Sequence, residues 1–74
     1  MPSDQALSFR HVRFKLEALG FRGISQKGNH AKFIRQDKTG TRTAILPHYT
    51  ELTAAVTASI LRQCGISQEE FERA

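Results

Sequence analysis

Phe9, Val12, Leu16 and Leu19 recur at spacings of three and four, the stripe of an amphipathic helix. Ser8 stands where an N-cap belongs, and Gly20 where a helix closes on a left-handed residue. Arg10, His11, Arg13 and Lys15 fall on the polar side, while Phe14 leaves the stripe and is expected at its edge. Residues 1–7 read as a loose lead-in. Three short extended segments follow: Phe21 to Gln26, His30 to Arg35, and Thr41 to Leu46, the last rich in β-branched residues. Lys27-Gly28-Asn29 makes a tight turn between the first two, because Gly and Asn accept positive φ cheaply. "QDKTG" (36–40) is the next hairpin connection, and Pro47 ends the third strand because it cannot donate to a ladder. A second helix is expected from Glu51 to Cys64, capped by Thr50, with Leu52, Val56, Ile60 and Leu61 inward beside Ala55 and Cys64. Gly65 ends it. "SQEE" (67–70) is a capping box that starts a short last helix, with Phe71 folded back on the core.

The order is αβββα plus a terminal helix, which points to a two-layer α+β domain with a three-stranded antiparallel sheet on its helices. One sheet face packs and the other can stay open. Alternation puts Ala31 and Phe33 on the packed face and His30, Lys32 and Ile34 on the open one, beside the turn that carries Lys27. A one-residue slip of register would reverse this assignment.

With 74 residues the chain reads as one domain, 1–74, with room for one small core and no deep pocket. Chemistry on a shallow face favours a macromolecular substrate over a small metabolite. Formal net charge is +4, and it is polarised: between Arg10 and Arg42 nine basic side chains face only Glu17 and Asp37, whereas Thr43 to Ala74 is net acidic. A basic half can neutralise phosphates and release counterions. The plainer alternative is a solvated basic surface with no partner. A single cysteine, Cys64, excludes an internal disulfide. No charged leader precedes an apolar run, and no run approaches the ~20 residues of a membrane helix, so a soluble cytoplasmic protein is expected.

The candidate chemistry is sparse. Three scattered histidines and one cysteine show no metal-ligand spacing, so no metal is expected. Cys64 falls on an apolar helix face, where a buried thiol is inert. No phosphate loop, dinucleotide fingerprint or nucleophile elbow is present. His11 sits on a polar helix face, and His48, after Pro47, is a second acid/base candidate that nothing in its context activates. His30 differs, with Lys27 on the turn and Lys32 two residues along the same face. A neutral imidazole beside cations is available as a base, and those cations would hold a phosphodiester and stabilise the charge developing on it. A ribonuclease that uses the RNA's own 2′-hydroxyl needs little more. The residues alone leave two readings open, a structural strand histidine and a catalytic one.

The sequence resembles the HicA family of small toxins from prokaryotic toxin–antitoxin pairs. The resemblance runs from Phe9 to Phe71 and is carried by "LEALGF" (16–21), "QKGNH" (26–30), Pro47 and "ILRQCGISQEEF" (60–71). It implies a double-stranded-RNA-binding-like fold, translation-independent mRNA interferase activity, His30 as the catalytic residue, a HicB-like antitoxin partner and no organic cofactor. On that basis Lys27, Lys32 and Arg35 would hold the phosphate, Gly28 and Asn29 would shape the turn and join the RNA-binding surface, and Arg10, Arg13 and Lys15 would extend the RNA track. A solvated helix face is the alternative for those last three. The chain departs from the family at Asn29, where Ser or Thr is usual, and at Ala31, where a second His often follows. It also has Tyr49 in place of a His two residues after the proline, and Ala55-Val56-Thr57 in place of Gly-Thr-Leu. The competing class is a non-cleaving RNA- or protein-binding module of the same fold.

Overall fold

The computed structural model describes residues 6–49 and 51–74. Helix α1, Phe9–Ala18, begins at Ser8, whose hydroxyl accepts from the His11 N–H at 3.0 Å. Its apolar stripe buries Val12 and Leu16 completely. Phe14 is 66% exposed, outside the stripe. The helix closes as a Schellman motif: Gly20 at φ +95° donates to Glu17 O and Phe21 donates to Leu16 O, both at 3.0 Å. The reversal delivers Phe21 into the core.

Strands β1 (Arg22–Lys27), β2 (His30–Asp37) and β3 (Gly40–Pro47) form an antiparallel sheet in that order. At their hairpin ends the strands run one or two residues past the ranges expected from the sequence, because each turn takes only two residues, while β1 starts one residue later, after Phe21. Ala31 pairs with Leu46 and Phe33 with Ala44, so large side chains lie opposite small ones on the packed face. All four are buried. A bulge interrupts β1: Gly23 pairs with Phe33 and Ser25 with Lys32, leaving Ile24 as the extra residue.

Helix α2 starts later than the periodicity predicts, at Ala54, and runs to Cys64. Its N-cap is Thr53, whose hydroxyl accepts from the Val56 N–H at 3.2 Å; Thr50 lies outside the described residues. The cause is Leu52. It fits the helical spacing to Val56 and Ile60, yet its backbone is extended and exchanges both hydrogen bonds with Leu7, at 2.9 and 2.7 Å. Leu52 is fully buried from that position, so the core gains the same side chain by a different backbone route. Leu7, expected in the lead-in, is therefore tied to the fold. Helix α3, Gln68–Arg73, carries the expected capping box: Glu70 N–H donates to Ser67 Oγ at 3.1 Å and Ser67 N–H to Glu70 Oε1 at 3.0 Å. The second of these bonds, from the Ser67 N–H to the carboxylate, holds the Glu70 carboxyl below its ordinary value. Phe71 closes the core. The arrangement is an αβββαα α+β fold of the double-stranded-RNA-binding type.

Candidate functional site

The first hairpin turn is Gly28-Asn29, with Gly28 at φ +59° and open space where a Cβ would stand. Lys27 and His30 are its closing pair. On the other side His30 pairs with Pro47, and the next residue, His48, donates its N–H to the Asn29 carbonyl at 2.6 Å. The backbone of His30 is thus held from both neighbouring strands while its side chain stays exposed.

Directly paired residues share a sheet face, with Cβ atoms ~4.5–5.5 Å apart. The face opposite the core therefore carries three rows: Lys27, His30 and Pro47; Ser25, Lys32 and Ile45; Arg22, Ile34 and Thr43. None of these nine is acidic, and three are cations. The bulge at Ile24 makes this possible. Without it β1 could not put Gly23 against the Phe33 ring and Lys27 beside His30, since the two would need opposite parity. Arg22 joins the face unforeseen; the glycine next to it in an extended run was the available signal of a bulge.

His30 also opens onto a groove of ≈ 290 Å³ between β3 and α2, walled by Ile45, Pro47, Tyr49, Val56 and Ile60, with Ser59 and Gln63 on its rim. Tyr49 marked a departure from the family pattern in the sequence, but nothing there placed it on a groove; Ser59 and Gln63 had not stood out, because no motif links them.

Arg35 is a correction. It shares the packed face with Phe33, away from His30, because it lies an odd number of residues along β2. Its guanidinium lies 5.2 Å from the Phe21 ring and donates to Leu19 O at 3.0 Å and to Asp37 Oδ2 at 3.1 Å. Arg42, its cross-strand partner, contacts the same carboxylate oxygen at 3.2 Å and donates to Gly65 O at 2.8 Å. One carboxylate thus joins two arginines, and each arginine holds the C-terminal end of a different helix, where a cation complements the helix dipole. Hydrogen bonds from the Thr39 hydroxyl and N–H, with the two arginines adding to them, lower the Asp37 carboxyl to about 2.

Lys15 is likewise committed elsewhere: its ammonium donates to Glu72 O at 3.1 Å and sits 5.5 Å from the Phe71 ring. Arg10 and Arg13 remain exposed on α1. Arg13 lines a second groove, of ≈ 340 Å³, with Phe9, Gln26, Phe33 and His48, on the helix side of the sheet. His48 stacks on Phe9 there, ring centroids 3.7 Å apart, so it faces away from His30. Burial pushes the Cys64 thiol up from its ordinary value, which keeps it a protonated core group. Among the described residues no three His, Cys, Asp or Glu side chains cluster as metal ligands, and no helix is long and apolar enough to cross a membrane.

Residues 9–66 match the family model described as the HicA toxin of bacterial toxin-antitoxin systems. No curated protein matches the chain significantly.

Proposed function

The chain belongs to the HicA toxin family of toxin–antitoxin systems, and on that premise we propose that it is an endoribonuclease that cleaves mRNA in the cytoplasm with His30 as general base. The observation that supports this reading most is the placement of His30 at the mouth of a hairpin, exposed, with Lys27 directly opposite and Lys32 two residues along one acid-free face.

The chemistry follows from that placement. A phosphodiester over Lys27 and Lys32 has its charge met by two ammonium groups, and Lys ammonium is a compact point charge suited to that role. His30 takes the proton of the adjacent 2′-hydroxyl. The O2′–P bond forms, the P–O5′ bond breaks, and the departing 5′ oxygen takes a proton from the imidazolium or from water. Gly28 and Asn29 keep the imidazole at its station through the turn and the bond to His48. Arg10 and Arg13 extend the contact with the RNA backbone from α1. A HicB-like antitoxin would bind this chain over the same face and silence it.

A binding module of the same fold, gripping RNA or protein without cutting, is the second reading. One feature favours it: His30 is the single imidazole or carboxyl group among the nine residues of the open face. Single-turnover cleavage of a labelled mRNA in excess EDTA decides between them. Under the proposal wild type cleaves, and His30→Ala loses ~10²–10⁴-fold in rate while still binding RNA. Equal rates for the two proteins sink the assignment of His30. Binding by both with cleavage by neither establishes the module.

A further inference from the structure

We propose that the groove between β3 and α2 is a nucleobase subsite, which takes the base of a nucleotide next to the phosphate that His30 attacks. The inference rests on the ribonuclease reading for its placement of the phosphate, and deepens it by naming what selects the cleavage position.

The cross-strand pairs carry the argument. His30 pairs with Pro47, and Lys32 pairs with Ile45. Pro47 and Ile45 are walls of the groove, and His30 itself lines it. The phosphate-facing groups and the groove therefore stand one strand spacing apart, ~4.5–5.5 Å between Cβ atoms, within the reach of one nucleotide. The lining fits a base in kind as well as in place. Ile45, Val56 and Ile60 make an apolar wall. Tyr49 is 51% exposed on the groove, an aromatic face free to stack. Gln63 supplies an amide with a donor and an acceptor side by side, and Ser59 a hydroxyl, which is the equipment for reading a base edge. Among the described residues no Lys, Arg, Asp or Glu lines it, as suits a neutral heterocycle. Stacking on Tyr49 holds any base, and Gln63 discriminates among them.

The test uses 2′-fluoro hexanucleotides, which lack the attacking hydroxyl, each bearing one base, A, C, G or U, on an otherwise abasic backbone. Affinities are read by fluorescence anisotropy for wild type, Tyr49→Ala, Tyr49→Phe and Gln63→Leu, with thermal melts confirming that these exposed-site variants fold. Wild type is expected to prefer one base by about tenfold or more. Gln63→Leu should erase that preference. Tyr49→Ala should weaken all four strands by about tenfold, and Tyr49→Phe should not. Equal wild-type affinity for the four bases and for a fully abasic strand overturns the subsite. Because none of these strands can be cleaved, that failure is separate from failure of the ribonuclease reading, which shows only in the EDTA cleavage assay. A protein that cuts no RNA yet shows the base preference keeps the subsite and loses the reaction.

Discussion

Replacing Gly28 by alanine isolates the backbone requirement of the turn that presents His30. Gly28 sits at φ +59°, and an added Cβ meets no atom within 4 Å, so the substitution introduces backbone strain and no collision. A left-handed conformation costs a non-glycine residue ~1–2 kcal/mol. The alanine also restricts the unfolded chain, which returns ~0.4–1 kcal/mol. The net loss is about 1 kcal/mol, and for a domain of this size each kcal/mol moves Tm by ~4–8 °C. Gly28→Asn should cost less, because asparagine visits this region more readily. Gly20→Ala should cost more than either: its φ is +95°, and its Cβ would come 3.2 Å from the Arg35 Cδ that leads to the bond on Leu19. Thermal melts of the three variants read the order directly. Cleavage adds a second measure, since a relaxed turn shifts the Lys27–His30 pair, and the rate of Gly28→Ala should fall further than its RNA affinity. If Gly28→Ala melts with wild type, or Gly28→Asn melts below Gly28→Ala, positive φ at the turn is not what holds this hairpin and the reasoning is refuted.

Leu16→Ala removes a fully buried side chain and should lose ~2–5 kcal/mol in urea titrations, a large share of the ~0.05–0.15 kcal/mol per residue typical of a domain; a loss below ~1 kcal/mol would contradict the core described. Asp37 holds its carboxyl at about 2 against an ordinary 3.8. Its folded value is the lower one, so the ionised form stabilises the protein above about pH 3.8 and that contribution fades as pH falls through about 2. Asp37→Asn should accordingly lower Tm at pH 7, with the gap to wild type closing toward pH 2; a gap that stays constant with pH would show that the carboxylate's charge is not involved. Lys32→Gln should flatten the dependence of log RNA affinity on log salt by about one contact, ~0.7 in slope for a single strand. Arg35→Gln should leave that slope alone and lower Tm, and the reverse pattern would put Arg35 back on the RNA.

Where one local signal decided a structure, the sequence showed it. The stripe of α1 with Ser8 and Gly20 at its ends, the Ser67–Glu70 capping box, and the alternation of Ala31 and Phe33 each appear as read. The misses come from partners distant in sequence. The spacing of Leu52 to Val56 and Ile60 is helical, and only its pairing with Leu7 makes it extended. The site divides in the same way. His30 and Lys32 share a face through period-two alternation within one strand, which any reading of β2 finds. Lys27 shares it because of the bulge at Ile24, and Tyr49 and Gln63 approach His30 because α2 packs along β3. Both depend on tertiary packing that no residue announces.

The polarised charge that first pointed to nucleic acid also carries a second role. Of the nine cations between Arg10 and Arg42, Arg35, Arg42 and Lys15 each donate to a backbone carbonyl at or near a helix C-terminus. A small domain has few apolar contacts with which to hold helix ends, and these long side chains supply the missing ones while leaving their stems packed on the surface. Charge count therefore overstates what the chain can offer to a phosphate backbone. Strand register sorts the cations more sharply: an odd step along β2 from His30 leads to Arg35, Asp37 and the helix ends, and an even step leads to Lys32. The only acidic residue in the sheet, Asp37, lies with the structural arginines, so it offsets part of their charge and leaves the open face around His30 with cations and no carboxylate. The same carboxylate that fastens the fold thereby keeps negative charge away from the surface where a phosphate would have to come.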